Sequence, residues 1–272
     1  MHPVADAIQV REALGRVKSA GAPFQTNFFL SDEALSHAGE QGRLFLHEAP
    51  RVALIVLREP AFDRVYYACG GHTDALADAL RSIALPPSGN LVSDVVGHPD
   101  ATGEPVACFS HAGFQVYTLF QRMQRLPKGP PPAGDEHPLV VQANPADAPA
   151  VLDAIATHFD RYAEHIPDLH DIEQAVARGT VLLARADGRL AAVLYYDRVG
   201  VTTTLRYWLA LPGFRGQGHA ERLMRAYFRA CADSRRFLLW VEGRNQRAQA
   251  LYLHHGYSTV PTIDVILRKR AG

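Results

Sequence analysis

Two glycines ahead of a predicted helix constrain this chain more than any other sequence feature. The segment RGQGHA, residues 215–220, follows an apolar, β-branched run and opens an amphipathic helical pattern. Glycine lets the backbone approach a ligand closely, and the first N–H groups of a helix have no partner within that helix. These groups point toward an anion, with the helix dipole behind them. The segment therefore predicts a turn that binds a phosphate or diphosphate.

Composition narrows the class of protein. Of the 272 residues, 47% are apolar, which is ample for a packed core, and Lys plus Arg equals Asp plus Glu at 28 each. Balanced charge argues against nucleic acid or a membrane surface as a partner. The three cysteines, Cys69, Cys108 and Cys231, have no metal-type spacing and lie in apolar surroundings, which predicts buried thiols in a reducing compartment. With no signal-peptide pattern and no run of membrane-spanning length, we expect a cytoplasmic protein.

A second motif explains the first. Residues 239–257 read LWVEGRNQRAQALYLHHGY. Together with RGQGHA, in this order and spacing, they resemble the GNAT superfamily of acyl-CoA-dependent N-acetyltransferases. The first segment matches the family pattern Arg/Gln-x-x-Gly-x-Gly/Ala at Arg215, Gly218 and Ala220. The second matches Leu-x-Val-x-x-x-Asn-x-x-Ala-x-x-Leu-Tyr-x-x-x-Gly-aromatic at every fixed position. The resemblance covers residues 139–270.

The resemblance implies an α/β (α+β) fold with a mixed, mostly antiparallel, twisted sheet flanked by helices, in the order β-α-α-β-β-β-α-β-α-β. Hydrophobic periodicity over residues 139–270 predicts the same order, with a hairpin at Asp187-Gly188. A Pro- and Gly-rich segment at residues 127–138 predicts a linker between an N-terminal domain, residues 1–126, and a catalytic domain, residues 139–272.

The N-terminal half shows a similar succession of predicted helices and strands. Its residues 105–123 parallel residues 251–268, including a Gly-aromatic pair and a closing strand with basic residues at its end. This similarity suggests a degenerate internal repeat of the GNAT-like fold; the alternative is an unrelated α+β domain. The turn at residues 86–89 has neither the Arg-x-x-Gly spacing nor a helix behind it, so we do not expect this half to hold coenzyme A.

The cofactor site follows from the resemblance, which implies acetyl-CoA as cosubstrate. The glycine turn would hold the diphosphate, and the end of the preceding strand would pair with the pantetheine arm through its backbone. Asn245 would cap the last helix and bond the pantetheine amide, or serve as a cap only. The implied residues are Leu209, Ala210, Leu211, Arg215, Gly216, Gln217, Gly218, His219, Ala220 and Asn245.

The catalytic groups are less determined. The resemblance implies that Tyr252 is the general acid that protonates the departing thiolate, although this side chain could simply pack there. Attack requires a neutral amine, so a base or an ordered water must accept its proton. The candidates are Glu164, Asp168, His170 and Glu242, with His165 and Asp197 as further possibilities. Pro167 prevents a shared helical face for His165 and His170, and no cysteine accompanies them, so no metal site is predicted.

These features predict an N-acyltransferase that moves an acetyl group from acetyl-CoA to a primary amine by direct attack in a ternary complex. The acceptor would be a small-molecule amine or a peptide amine, and the protein a monomer or homodimer. Two other functions remain open at this stage: a non-catalytic protein that binds or senses acyl-CoA, and a tandem-type transferase of a larger acyl or aminoacyl group.

Overall fold

A computed structural model describes residues 1–71, 73–127, 129 and 139–271. These residues form two compact units, Met1–Phe120 with Pro261–Gly272, and Gln121–Val260. Most of the predicted linker, residues 127–138, lies outside the described residues, so a boundary at that segment stays a prediction. The compact units divide the chain differently, because the last strand begins in the second unit and pairs in the first.

The first unit has the elements β1 His2–Pro3, α1 Ala7–Ser19, β2 Phe24–Thr26, α2 Asp32–Glu40, β3 Leu44–Ala49, β4 Val52–Arg58, β5 Asp63–Gly70, α3 Asp74–Ser82, β6 Asn90–Gly97, α4 Pro99–His111 and the start of β7 Gln115–Arg125. The second unit has the rest of β7, then β8 Val140–Gln142, α5 Ala148–His158, α6 Leu169–Ala177, β9 Val181–Ala186, β10 Arg189–Val199, β11 Thr202–Ala210, α7 His219–Ala230, β12 Arg236–Glu242, α8 Gln246–His254 and the start of β13 Ser258–Arg270. Short 3-10 turns precede α5 and α7.

The second unit is built on a mixed sheet in the order β12-β11-β10-β9-β8, with the end of β7 beside β12. Only β11 and β12 are parallel among the registered pairs of these five strands. The predicted hairpin joins β9 to β10, and Asp187 and Gly188 both have positive φ, as a two-residue hairpin turn requires. The order of elements over residues 139–270 and the mixed, mostly antiparallel sheet are confirmed.

Helices cover both faces of this sheet. On one face α7 buries the residues that its periodicity predicts, namely Leu223, Met224, Tyr227, Phe228 and Cys231, against β9 to β12. On the other face α5 and α6 pack on Val181, Leu183, Val193, Tyr195 and Tyr207. The strands β9, β10 and β11 therefore present alternate side chains to two separate cores.

The first unit repeats this order of elements, with β2 as an addition between its first two helices. Its sheet runs β1-β3-β4-β5-β6, and residues 263–270 of β13 complete it by pairing antiparallel with β6. Sequence patterning located β4, β5, α3 and β6 but not α1, α2 or β3. No helix in the described parts of the chain is long and apolar enough to cross a membrane.

Candidate cofactor and acceptor site

An opening between β11 and β12 is the central feature of the second unit. The two strands pair from Thr202 with Arg236 to Leu205 with Leu239, and then both continue unpaired with each other, to Ala210 and Glu242. β11 stays paired with β10 on its other side as far as Ala210. One extra residue, Arg206, interrupts that register, and such a bulge bends a strand. The bulge lies where the opening begins, which accounts for the separation of the strands.

The predicted pantetheine strand lies along this opening. Leu209 and Ala210 pair with β10 on one side only, and the N–H of Leu211 donates to the carbonyl of Ala191 at 2.9 Å. The opposite edge of this segment faces the gap. The resemblance implied an unpaired strand edge here, and the register leaves Leu209 and Ala210 without a partner in β12. Pairing of this edge with a pantetheine arm stays a prediction.

The glycine turn has the geometry of an anion site. Gly216 and Gly218 both have left-handed backbone conformations, with φ of 78° and 79°, and Gly218 is the residue that caps α7. A side chain in this region of φ is strained. A Cβ added at Gly216 would meet no described atom within 4 Å, so the turn faces open space. The N-terminal N–H groups of α7 thus lie behind an accessible glycine turn.

Two arginines frame the turn, and sequence reasoning identified only one. Arg215 is exposed, and its Nε donates to the carbonyl of Ala210 at 3.4 Å. Arg222 donates from its guanidinium to the carbonyl of Gln217 at 3.0 Å, and its Cζ lies 3.6 Å from the position of a Cβ on Gly218. The spacing of four residues from Gly218 puts Arg222 one helical turn above the cap, and that spacing was the sequence signal that could have found it.

The remaining turn residues support this geometry. His219 is buried, with its ring nitrogens 3.4 Å from Gln217 Oε1 and from the guanidinium of Arg222. The indole N–H of Trp208, on β11, donates to the carbonyl of Ala220 at 2.9 Å. Trp208 therefore ties the bent strand to the first turn of α7, a role that no motif predicted.

Asn245 caps α8, as one of its two predicted roles requires. Its Oδ1 accepts a hydrogen bond from the N–H of Ala248 at 3.0 Å. The side-chain amide is exposed and keeps its Nδ2 as a donor. The cap is confirmed, and a bond from Nδ2 to the pantetheine arm stays a prediction.

Tyr252 and Glu164 interact electrostatically, although 88 positions separate them in the chain. Tyr252, on α8, is half-buried, with its ring centroid 5.6 Å from that of Trp208. Burial and then the negative charge of Glu164 raise the pKa of the Tyr252 phenol well above its ordinary value. Of the predicted base candidates, Glu164 is therefore the one whose charge acts on the predicted acid.

The loop that carries Glu164 is tied to β11. The phenol of Tyr207 donates to the carbonyl of His165 at 2.6 Å. Tyr207 is buried and packs edge-on against Phe159 at a centroid distance of 4.9 Å. The pKa of the Tyr207 phenol is raised, and burial is the main cause. The charge of Arg206 partly opposes this shift, and the charge of Glu164 adds to it. The backbone next to Glu164 thus lies on the face of β11 covered by α5 and α6.

Other candidates have structural partners. The carboxylate of Asp168 caps α6 by accepting a hydrogen bond from the N–H of Asp171 at 2.9 Å. The carboxylate of Asp171 in turn accepts a hydrogen bond from the N–H of Asp168 at 3.0 Å. Asp197 accepts from the phenol of Tyr195 at 3.3 Å and lies 3.7 Å from Arg206. As bases, both residues stay predictions.

The last two base candidates, His170 and Glu242, lie on α6 and β12. His170 lies in the first turn of α6, and Glu242 is half-buried at the end of β12. Both stay predictions as bases. Among the described residues there is no group of three or more His, Cys, Asp or Glu side chains placed to hold a metal ion.

Comparison with known proteins agrees with this geometry. Residues 150–257 match the model of the acetyltransferase (GNAT) family. The match covers 108 of the 272 residues and includes both the glycine turn and the Asn245 motif. An uncharacterized N-acetyltransferase of Mycobacterium bovis is 33% identical over 102 residues, which are 36% of this chain and 59% of that relative. The chain thus matches less than two thirds of the relative's length.

Solved structures extend the likeness in fold beyond residues 150–257. A GCN5-related N-acetyltransferase from Sphaerobacter thermophilus superposes with a TM-score of 0.63 and 17% identity, over 100% of this chain and 95% of that one. A tandem GNAT protein from the clavulanic acid biosynthesis pathway superposes with a TM-score of 0.58 and 14% identity, over 100% and 98%. The first unit therefore belongs to the same fold, as the suspected repeat predicted.

The first unit has its own separation between two parallel strands, and residues of the same unit fill it. Its parallel pair, β5 with β6, is registered only at Asp63 with Leu91 and Arg64 with Val92. Beyond that point β2 pairs with residues 68–70 of β5. Asn27 is the next residue in the chain after β2. Asn27 Oδ1 accepts from the N–H of Tyr67 at 2.6 Å, and Nδ2 donates to the carbonyl of Asp94 at 2.7 Å. The chain's own residues take the backbone hydrogen bonds of this gap.

The sequence suggested the turn at residues 86–89 as the first unit's counterpart of the glycine turn, but its position in the order of elements is different. The turn at residues 86–89 leads into β6, whereas the short segment after β5 leads into α3. At the start of α3 the hydroxyl of Thr73 donates to the carboxylate of Glu104 at 2.5 Å. A side-chain carboxylate thus lies near the helix terminus that would otherwise attract an anion.

Proposed function

We propose that this protein is an N-acetyltransferase that moves the acetyl group of acetyl-CoA to a primary amine by direct attack in a ternary complex. One observation carries the proposal: the opening between β11 and β12 has the glycine turn of α7 at its end, and Glu164 acts on Tyr252 beside it. Such an opening offers an extended ligand a strand edge, and the turn offers it an anion site.

The described residues fit acetyl-CoA. Gly216 and Gly218 leave space at the start of α7, Arg222 and Arg215 supply positive charge there, and the free edge of Leu209–Leu211 can pair with an amide-containing arm. Acetyl-CoA would supply an activated thioester. In this proposal Trp208 keeps the turn and the strand edge in register through its bond to Ala220.

Glu164 and Tyr252 divide the proton transfers. Glu164 would accept a proton from the substrate's nitrogen, which must be neutral to attack. Tyr252 would hold a proton on Oη and release it to the departing sulfur. Since burial and Glu164 raise the pKa of Tyr252, the phenol keeps that proton across the physiological range. Tyr207 would hold the Glu164 loop in place through the carbonyl of His165.

The test has two parts. Calorimetry should show one acetyl-CoA bound per chain. Release of free thiol, measured with a thiol-trapping reagent over a panel of amines, should then depend on the presence of an acceptor. Binding without acceptor-dependent release would instead identify an acyl-CoA-binding protein. A folded sample that binds neither acetyl-CoA nor coenzyme A would overturn the proposal.

A further inference from the structure

Arg122, at the end of β7, carries a positive charge with no acidic partner among the described residues. Its Nε is fully shielded from solvent and makes no hydrogen bond there. Its guanidinium carbon lies 5.2 Å from the centre of the Trp240 ring. A buried donor that is left unsatisfied costs free energy, and a charged one costs more. The Arg122 side chain as a whole is only half-buried, so the remainder of its guanidinium is available to pair with an anion.

The arginine lies on the acceptor face of the GNAT domain. On β12, Phe237, Leu239 and Val241 join the core beneath α7, so Trp240 points to the opposite face. Met123 of β7 joins the same α7 core, so its neighbour Arg122 shares the face of Trp240. This is the side of the sheet on which α5 and α6 cover β9 to β11, and on which Tyr207 bonds the loop that carries Glu164.

The position along the strands is also informative. Leu239 is the last residue of β12 to pair with β11, so Trp240 is the first residue at the opening and lies across from the bulge at Arg206. The phosphate turn belongs to α7, which covers the other face of the sheet. An anion at Arg122 is therefore separate from the diphosphate and near the reacting end of the opening.

We propose that Arg122, supported by Trp240, binds a carboxylate of the acceptor, so that the acceptor is a primary amine that also carries a carboxylate, such as an amino acid or a peptide. This inference rests on the proposed function, since it names the acceptor class of that site. A planar guanidinium pairs with a planar carboxylate through two parallel hydrogen bonds. Burial and the charge of Arg236 lower the pKa of Arg122, which a bound anion would reverse.

Tryptophan fluorescence tests the inference without turnover. The chain has two tryptophans, so Trp208→Phe leaves Trp240 as the single reporter. N-acetyl amino acids should change its emission saturably, while the matching decarboxylated acetamides and inorganic phosphate should not. Arg122→Gln should weaken the response about tenfold or more, the loss expected for a hydrogen-bonded charged group. Arg235→Gln, the same change at an exposed residue, should leave it intact. Wild-type protein repeats the titration in case Trp208→Phe does not fold.

Kinetics supply the second readout. With any amine acceptor that is turned over, Arg122→Gln should raise the acceptor KM for the carboxylated form and leave that for its decarboxylated analogue and for acetyl-CoA unchanged. No response to any carboxylate in protein that binds acetyl-CoA, or equal effects on both acceptor forms, would overturn the inference. A response to carboxylates in protein that does not bind acetyl-CoA would instead refute the proposed function alone.

Discussion

Glu164, in the loop after α5, acts electrostatically on Tyr252, on α8: after burial, its negative charge is the next cause that raises the pKa of that phenol. The two residues are far apart in the sequence of the second unit, and they were predicted separately, Glu164 as one of several candidate bases and Tyr252 as the acid. Pairs of titratable groups in one cleft, with shifted pKa values, are typical of acid–base sites. The predictions below test this pair and the elements that support it.

Replacing Glu164 by Gln should lower kcat about 10²-fold, the usual contribution of a positioned base. The amide keeps the shape of the side chain but cannot accept the amine's proton. Affinity for acetyl-CoA should be unchanged in calorimetry. The matched control is Glu173→Gln on α6, which should retain activity. An unchanged kcat in Glu164→Gln would move the base to another group.

Tyr252→Phe should also lower kcat about 10²-fold, with acetyl-CoA affinity retained. The pH dependence of kcat in the wild-type enzyme tests the direction of the Tyr252 pKa shift. Since the pKa of Tyr252 in the folded protein is above its ordinary value of about 10, the phenol stays protonated up to and beyond that pH. We therefore expect no loss of kcat near pH 10 from this group. A decline at that pH which disappears in Tyr252→Phe would contradict the assignment.

Gly218→Ala should destabilise the protein by about 1–2 kcal/mol, because φ is 79° at this residue. Acetyl-CoA affinity should fall as the turn rearranges. Gly15→Ala is the matched control: this exposed glycine lies within α1, and an added Cβ meets nothing within 4 Å. It should stabilise the protein by about 0.5–1 kcal/mol and leave affinity unchanged. Thermal unfolding and calorimetry measure both effects.

Asn27→Ala should destabilise the protein by about 2–4 kcal/mol, since it leaves the buried N–H of Tyr67 and carbonyl of Asp94 without their side-chain partners. Acetyl-CoA stoichiometry should stay at one per chain, because β2 still pairs with β5. Gln9→Ala, on the exposed side of α1, provides the control with little expected effect. A loss of less than about 0.5 kcal/mol in denaturant unfolding would show that Asn27 is not structural.

The three cysteines should react slowly with a disulfide reagent in the folded protein. All are free and buried, and burial raises the pKa of Cys231 to about 11 and also raises that of Cys69. The thiolate is the reactive form, so both exposure and ionisation are limiting. Absorbance should report three thiols only after denaturation. A fast stoichiometric reaction in native protein would refute the buried environment.

Much of the second unit could be predicted from its sequence. Periodicity placed α7 and α8 within a few residues, and local turn chemistry placed the hairpin at Asp187-Gly188. The first unit was harder, because short segments such as α2 and β3 have weak periodic patterns. Asp168 was one of several predicted bases, and its role as the cap of α6 was not predicted, since a capping aspartate and a catalytic one have the same local composition.

Local sequence by itself determined the glycine turn, the helix that follows it and the order of the elements, because these depend on interactions within a few residues. Tertiary structure alone decided which distant groups meet. It put Tyr252 within the electrostatic reach of Glu164, placed Arg122 over Trp240 and filled the gap of the first unit with Asn27. These relationships depend on strand register and on where pairing between strands stops, and such long-range pairing leaves no trace in the local pattern of residues.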